Sequence, residues 1–274
     1  MRKFLPVLLL VAAPLFAQAP TPSSDSHSLA SSINNNDNAK KARALLNQMI
    51  DTLGGSAYLN IQDMTQEGRA YSFYNGKPNS LGTPFWRFWK FPDKDRIEVT
   101  KQRDVAYVYV GDNGYDISYK GTAAQEPEAL RDYIRRRDHS LENVLRVWLN
   151  DPGTALFYDG PAVAEQKPCD SVTLMNSKND SVTIFIDTNK HLPVKKTFTW
   201  RDKLDNLKNE EGEIFDNFRV VQGIMTPHTL LRTKNGDTTQ QRFITTVSYN
   251  TGIPDSKFQA TVTYDPYKRS GPRN

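Results

Sequence analysis

Four histidines are the chain's candidates for proton transfer or metal binding: His27, His139, His191 and His228. None has a second histidine three or four residues away, so none forms the paired ligands of a helical zinc site. HExxH, CxxC, G-x-S-x-G, P-loop and dinucleotide fingerprints are all missing. The carboxylates Asp202, Asp205, Glu210 and Glu211 fall in a polar connection between strand patterns and read as a solvated loop. Asp112 and Asp116 flank a turn cluster and read as turn chemistry. Arg135-Arg136-Arg137 could meet anionic lipid heads, but three basic residues in one helical turn splay around the axis, which reads as a solvated face. The lone Cys169 cannot form an internal disulfide and suits a small apolar filler. These residues predict a protein that is not an enzyme and holds no cofactor and no metal. A hydrolase would need a nucleophile beside His139, His191 or His228 with an acid behind it.

The distinctive residues are aromatic. Phe85, Trp86, Phe88, Trp89 and Phe91 crowd one strand, Tyr107 and Tyr109 lie on another, and Phe198 and Trp200 end a third. Such bulk fills a core or lines a pocket. Trp86, Phe88, Trp89, Tyr107, Tyr109, Phe198 and Trp200 are therefore the candidate lining of an apolar cavity.

Elements must position them. Ala42, Leu45, Leu46, Met49, Ile50 and Leu53 recur at helical spacing, and Gly54-Gly55 supplies a stop. From Asp63 the period changes to two, predicting strands over residues 64–75, 84–91, 96–101, 105–110 and 115–120. Residues 84–91 are apolar on both faces and should be covered on both. Gly111-Asp112-Asn113-Gly114 marks a hairpin. A second helical block, residues 125–152, opens near Pro127, and its arginine run predicts two helices within it. Strands follow over 181–187, 192–200, 213–221, 223–233, 238–250 and 258–264, and Val194, Lys196, Phe198 and Trp200 share one phase. About ten strands joined by short turns make an antiparallel sheet, and a sheet that large curls. The expected class is mainly β with helices (α+β): a curled antiparallel half-barrel with helices on its concave face.

The ends carry their own signals. Met1-Arg2-Lys3, the apolar run 4–16 and Ala17-Gln18-Ala19 form a signal-peptide pattern over residues 1–19. That apolar run is shorter than the roughly 20 residues a bilayer span needs. Residues 20–38 are rich in Pro, Ser, Ala and Asn and predict a disordered leader. The folded domain is then expected over 39–265 and a flexible tail over 266–274. The implied location is the periplasm, without a membrane span. The formal charge of +4 includes Arg2 and Lys3, so the exported chain is nearly neutral, which speaks against a nucleic-acid partner.

Glu213-Ile214-Phe215-Asp216-Asn217-Phe218-Arg219-Val220-Val221-Gln222-Gly223-Ile224-Met225-Thr226-Pro227 resembles the strand–turn–strand of the periplasmic LolA-like superfamily. Val247-Ser248-Tyr249-Asn250 and Ile253-Pro254-Asp255-Ser256-Lys257-Phe258 resemble its closing strand and tail. The stretch 44–55 is similar to its first helix. The resemblance implies a half-open antiparallel barrel holding helices. It also implies lipid or lipoprotein acyl chains as partners, with carriage to the outer membrane as one form of the role. The other reading is an envelope protein-binding or stress-sensing domain without a lipid ligand.

Overall fold

The computed structural model describes residues 33–34, 36–202 and 205–267. The predicted signal segment and most of the leader lie outside the described residues.

Helix α1 spans Asp37–Leu53. The Asn36 side chain accepts from the Ala39 amide, and Gly54, at φ 129, ends the helix. Its apolar stripe (Ala39, Ala42, Leu46, Met49, Ile50 and Leu53) is buried. A one-turn helix, α2 (Ser56–Leu59), follows.

Fourteen strands make one sheet. They are β1 (Asp63–Tyr74), β2 (Lys77–Pro78), β3 (Thr83–Lys90), β4 (Lys94–Val99), β5 (Val105–Val110), β6 (Asn113–Ser118) and β7 (Gly121–Ala124), then β8 (Ala155–Ala164), β9 (Lys167–Met175), β10 (Ser181–Asp187), β11 (Pro193–Arg201), β12 (Lys208–Val221), β13 (Ile224–Lys234) and β14 (Asp237–Tyr249). The order across the sheet is β7-β6-β5-β4-β3-β1-β14-β13-β12-β11-β10-β9-β8, with β2 a small flap on β1. Every pairing is antiparallel. Two meanders are thus stitched together in the middle, where Met64 pairs with Tyr249 and Ser72 with Gln240. The sheet curls without closing, and the architecture is the α+β half-barrel that the periodicity predicts.

This order dictates where the second helical block goes. β7 and β8 are the two free edges, so the segment between them must travel from one side of the sheet to the other. It does so as α3 (Pro127–Asp138), α4 (Leu141–Arg146) and a short 3-10 turn (Trp148–Asn150). Leu141, Val144, Leu145, Trp148 and Leu149 join the same core as the stripe of α1.

Both edges are covered by the chain's own groups. The Asn34 and Asn38 carboxamides bond the backbone of Thr154, Leu156 and Tyr158 along β8, at 2.7–2.9 Å. At the other edge the Thr263 amide donates to the Thr122 carbonyl at 2.8 Å, and the Thr122 amide donates to the Thr263 hydroxyl at 2.8 Å. Such covers blunt edge-to-edge pairing.

Several expectations need correction. The helix begins at Asp37, and Asn34 is already docked, so order starts inside the stretch expected as leader. β8 carries no predicted strand, because Pro161 and Glu165-Gln166 interrupt the alternation. The predicted strand 258–264 is a 3-10 turn (Asp255–Phe258) and an extended segment lying on β7. Glu211 is not in a solvated loop: β12 starts at Lys208 and buries it.

Candidate functional site

The concave face does not pack completely against its helices. A cavity of about 350 Å³ remains between β3, β4, β1, β14, β13, β12 and β11 on one side and α1 to α4 on the other. Its wall changes character along the strands. At the end nearest α1 it is apolar: Leu53, Ile61, Met64, Trp89, Phe218, Ile224 and Leu141. Toward the other end lie Arg87, Asp95, Arg136, Lys196, Glu211, Glu213, Arg232 and Arg242.

The charges arise from strand phase. On β3 the inward positions are Phe85, Arg87 and Trp89. Arg87 forks onto Asp95 of β4, Nε–Oδ1 at 3.0 Å and Nη2–Oδ2 at 2.9 Å. Burial opposes the Arg87 charge, but Asp95 outweighs burial and raises Arg87 above the ordinary arginine value. Tyr133 of α3 donates to Asp95 at 3.3 Å and stacks on Tyr109 at 3.4 Å between centroids.

Across the other meander one row of facing residues runs Lys196, Glu213, Arg232, Gln240. Glu213 is the hub: its Oε1 accepts from Arg242 at 3.0 Å and its Oε2 lies 3.6 Å from Lys196. Burial alone would raise the Glu213 carboxyl, but Lys196, Arg242 and Arg232 together pull it down to about 2. The cations gain less, because they share one carboxylate. Burial lowers Arg242 despite Glu213. Arg232 falls to about 9, through burial and the like charges of Arg136 and Arg242. Among the described residues, the Arg232 guanidinium has no hydrogen-bond or ion-pair partner.

The seven aromatic candidates are divided by this geometry. Trp89, Tyr107, Tyr109 and Phe198 face the cavity. Trp86 and Phe88 do not: their neighbours Phe85, Arg87 and Trp89 take the inward phase, and alternation sends them to the convex face. There Arg103 sits 5.0 Å from the Trp86 ring and Lys257 3.9 Å from the Phe88 ring, so amphipathic side chains provide the second cover. Trp200 shares the phase of Phe198 but lies off the cavity, stacked under the Arg135 guanidinium at 3.5 Å.

The arginine run is not a solvated face either. Arg135 also reaches Asp132 at 2.5 Å and Glu211 at 3.2 Å. Arg136 looks into the cavity, and Arg137 ties α3 to the β5–β6 turn through the Gly111 carbonyl and Asp112. Lys196 was legible in the sequence, on the apolar phase with Val194 and Phe198. Arg87 and Arg232 carry the same signal beside Phe85 and Leu230.

Two of the histidines, His139 and His228, are buried and hydrogen-bonded. His139 is buried, stacked on Phe198 at 4.4 Å, with Nδ1 bonded to the Arg135 carbonyl at 2.7 Å. Burial lowers its pKa. The buried His228 directs Nδ1 at the Thr226 carbonyl. Among the described residues no group of three or more His, Cys, Asp or Glu could hold a metal ion. No helix among them is long and apolar enough to cross a membrane.

No protein-family model and no curated protein matches the chain. Solved structures do match. A DUF1329 family protein from Desulfovibrio piger superposes with TM-score 0.56 at 15% identity, over 82% of this chain and 98% of its own. A domain assigned to outer membrane lipoprotein sorting, from Vibrio parahaemolyticus, gives 0.51 at 10% identity, over 81% and 97%. A LolA superfamily protein from Nitrosomonas europaea gives 0.48 at 10% identity, over 80% and 97%. At these identities the first two establish shared architecture, and the chain has the same curled half-barrel fold as those two proteins.

Proposed function

We propose that this protein binds a lipid, or the acyl chain of a lipoprotein, in its concave cavity, and that it works in the periplasm after export through its N-terminal segment. The observation that carries the reading is the unfilled space between sheet and helices. Its volume falls within the roughly 300–1,000 Å³ of ligand pockets, and its floor next to α1 is apolar. Burying each methylene gains ~0.8 kcal/mol, so a chain of about a dozen gains on the order of 10 kcal/mol before ordering costs. Carriage of that ligand to the outer membrane is the transport form of the same role. Strand addition to its free edges is opposed by Asn34, Asn38 and Thr263, which weighs against the protein-binding alternative. The reading involves no catalytic step.

The test is organic extraction of the purified protein followed by mass spectrometry, paired with titration of the delipidated protein with a fluorescent fatty-acid analogue. A stoichiometric lipid or saturable probe binding is expected. A clean extract together with no probe binding by folded protein would overturn the proposal.

A further inference from the structure

The cavity's charges do not balance. Around its polar end stand five cations, Arg87, Arg136, Lys196, Arg232 and Arg242, against three carboxylates, Asp95, Glu211 and Glu213, and Arg87 is matched by Asp95. Both Glu213 oxygens are engaged, one by Arg242 and one by Lys196. Glu211 faces Arg136 at 3.7 Å and Arg135 at 3.2 Å. Arg232 stands directly across from Glu213 in the strand register and still has no partner.

A half-buried guanidinium on a cavity wall with no partner of its own is a ready counter-charge for an anion. A guanidinium offers a planar fork of donors that matches a carboxylate or a phosphate in two-point contact. The apolar floor lies along the same strands: Ile224 and Leu230 precede Arg232 on β13, and both line the cavity. We propose, building on the lipid-binding reading, that the ligand is a single-chain amphiphile with an anionic oxyacid head. The head sits on Arg232, flanked by Arg242 and Arg136, and the chain runs along β13 toward α1. Arg232 is the specificity-determining residue, selecting a charged head over an uncharged one of equal chain length.

Four ligands separate the possibilities when titrated calorimetrically into the delipidated full-length protein below their aggregation concentrations: hexadecanoate, hexadecyl phosphate, hexadecanol and inorganic phosphate. Hexadecanoate and hexadecyl phosphate are expected to bind at least tenfold more tightly than hexadecanol, and their ratio identifies a carboxylate or a phosphate head. Arg232→Met should abolish that preference, weakening hexadecanoate and hexadecyl phosphate at least tenfold more than it changes hexadecanol. Arg232→Lys should restore part of it, because lysine returns the charge without the fork, which also guards against misfolding of the methionine variant. Equal affinity for acid and alcohol would overturn the inference while leaving lipid binding standing. So would an Arg232→Met variant that weakens both equally. Inorganic phosphate binding as tightly as hexadecyl phosphate would overturn the amphiphile in favour of a free anion. Failure of every chain-bearing ligand would remove the lipid-binding reading and this inference with it.

Discussion

Replacing Glu213 by Gln keeps the shape of the side chain and removes the one negative charge that Lys196, Arg242 and Arg232 share. The size of the effect follows from the ionisation of the carboxyl. Its neighbours hold it at about 2 against an ordinary 4.5. At ~1.36 kcal/mol per pKa unit, the charged form is favoured by about 3 kcal/mol in the folded state. Stranding buried cations costs about 3–5 kcal/mol by analogy with broken buried pairs. For a domain of this size 1 kcal/mol moves the melting temperature by roughly 2–4 °C. Glu213→Gln should therefore melt about 6–12 °C lower at pH 7, read by circular dichroism. The pH dependence has a definite sign. The folded-state pKa is depressed, so the stabilisation is fully present above about 4.5 and is lost as the pH falls toward about 2. The gap between wild type and variant should narrow across that window. A drop below about 2 °C at pH 7, or a gap that stays constant down to pH 2.5, would refute the idea that the Glu213 carboxylate stabilises this cluster.

Three other perturbations test the frame around the cavity. The buried Asp63 carboxylate accepts from the amides of Thr251, Gly252 and Ile253 at 2.7, 2.9 and 3.2 Å and from the Thr251 hydroxyl at 3.0 Å. Asp63→Ala should lower unfolding free energy in urea by roughly 2–4 kcal/mol and make the C-terminal segment more sensitive to protease. At the bulge between Glu67 and Gly68, a β-carbon on Gly68 would come within 2.1 Å of the Phe243 carbonyl oxygen. Gly68→Ala should therefore cost roughly 3 kcal/mol, visible as a lower urea midpoint. Cys169 is buried and burial raises its thiol pKa, so a thiol reagent at pH 8 should leave the folded protein unmodified and label one site once it is denatured.

Much of the architecture was legible because local periodicity reports burial directly. The stripe from Ala42 to Leu53 could only be a helix lying on something apolar, and the alternation after Asp63 could only be strands in a sheet. The cluster from Gly111 to Gly114 located one hairpin, whose turn is Gly111-Asp112 with Asn113 already paired on β6. Failures came where a strand's partner, rather than its own residues, decides its fate. The extended run 258–264 has strand composition but covers the edge of β7, and the proline-broken segment of β8 pairs well with β9 despite its poor pattern. β propensity is largely a statement about neighbours.

The candidate site divides along the same line. The sequence by itself determined which side chains share a phase: Lys196 with Phe198, Arg87 with Phe85 and Trp89, Arg232 with Leu230. It could not show that both phases of an aromatic strand are occupied differently, so Trp86 and Phe88 belong to the convex face and Trp89 to the cavity. Only the tertiary structure decided that Lys196, Glu213, Arg232 and Gln240 form one row, and that Arg136 crosses the concave face to meet it. That row is set by the register of four strands, and its place opposite a helix is set by the need to connect two far edges of a curled sheet. Burial of a charge is costly or useful according to what lies within a few ångströms of it, and those distances are fixed by non-local pairing.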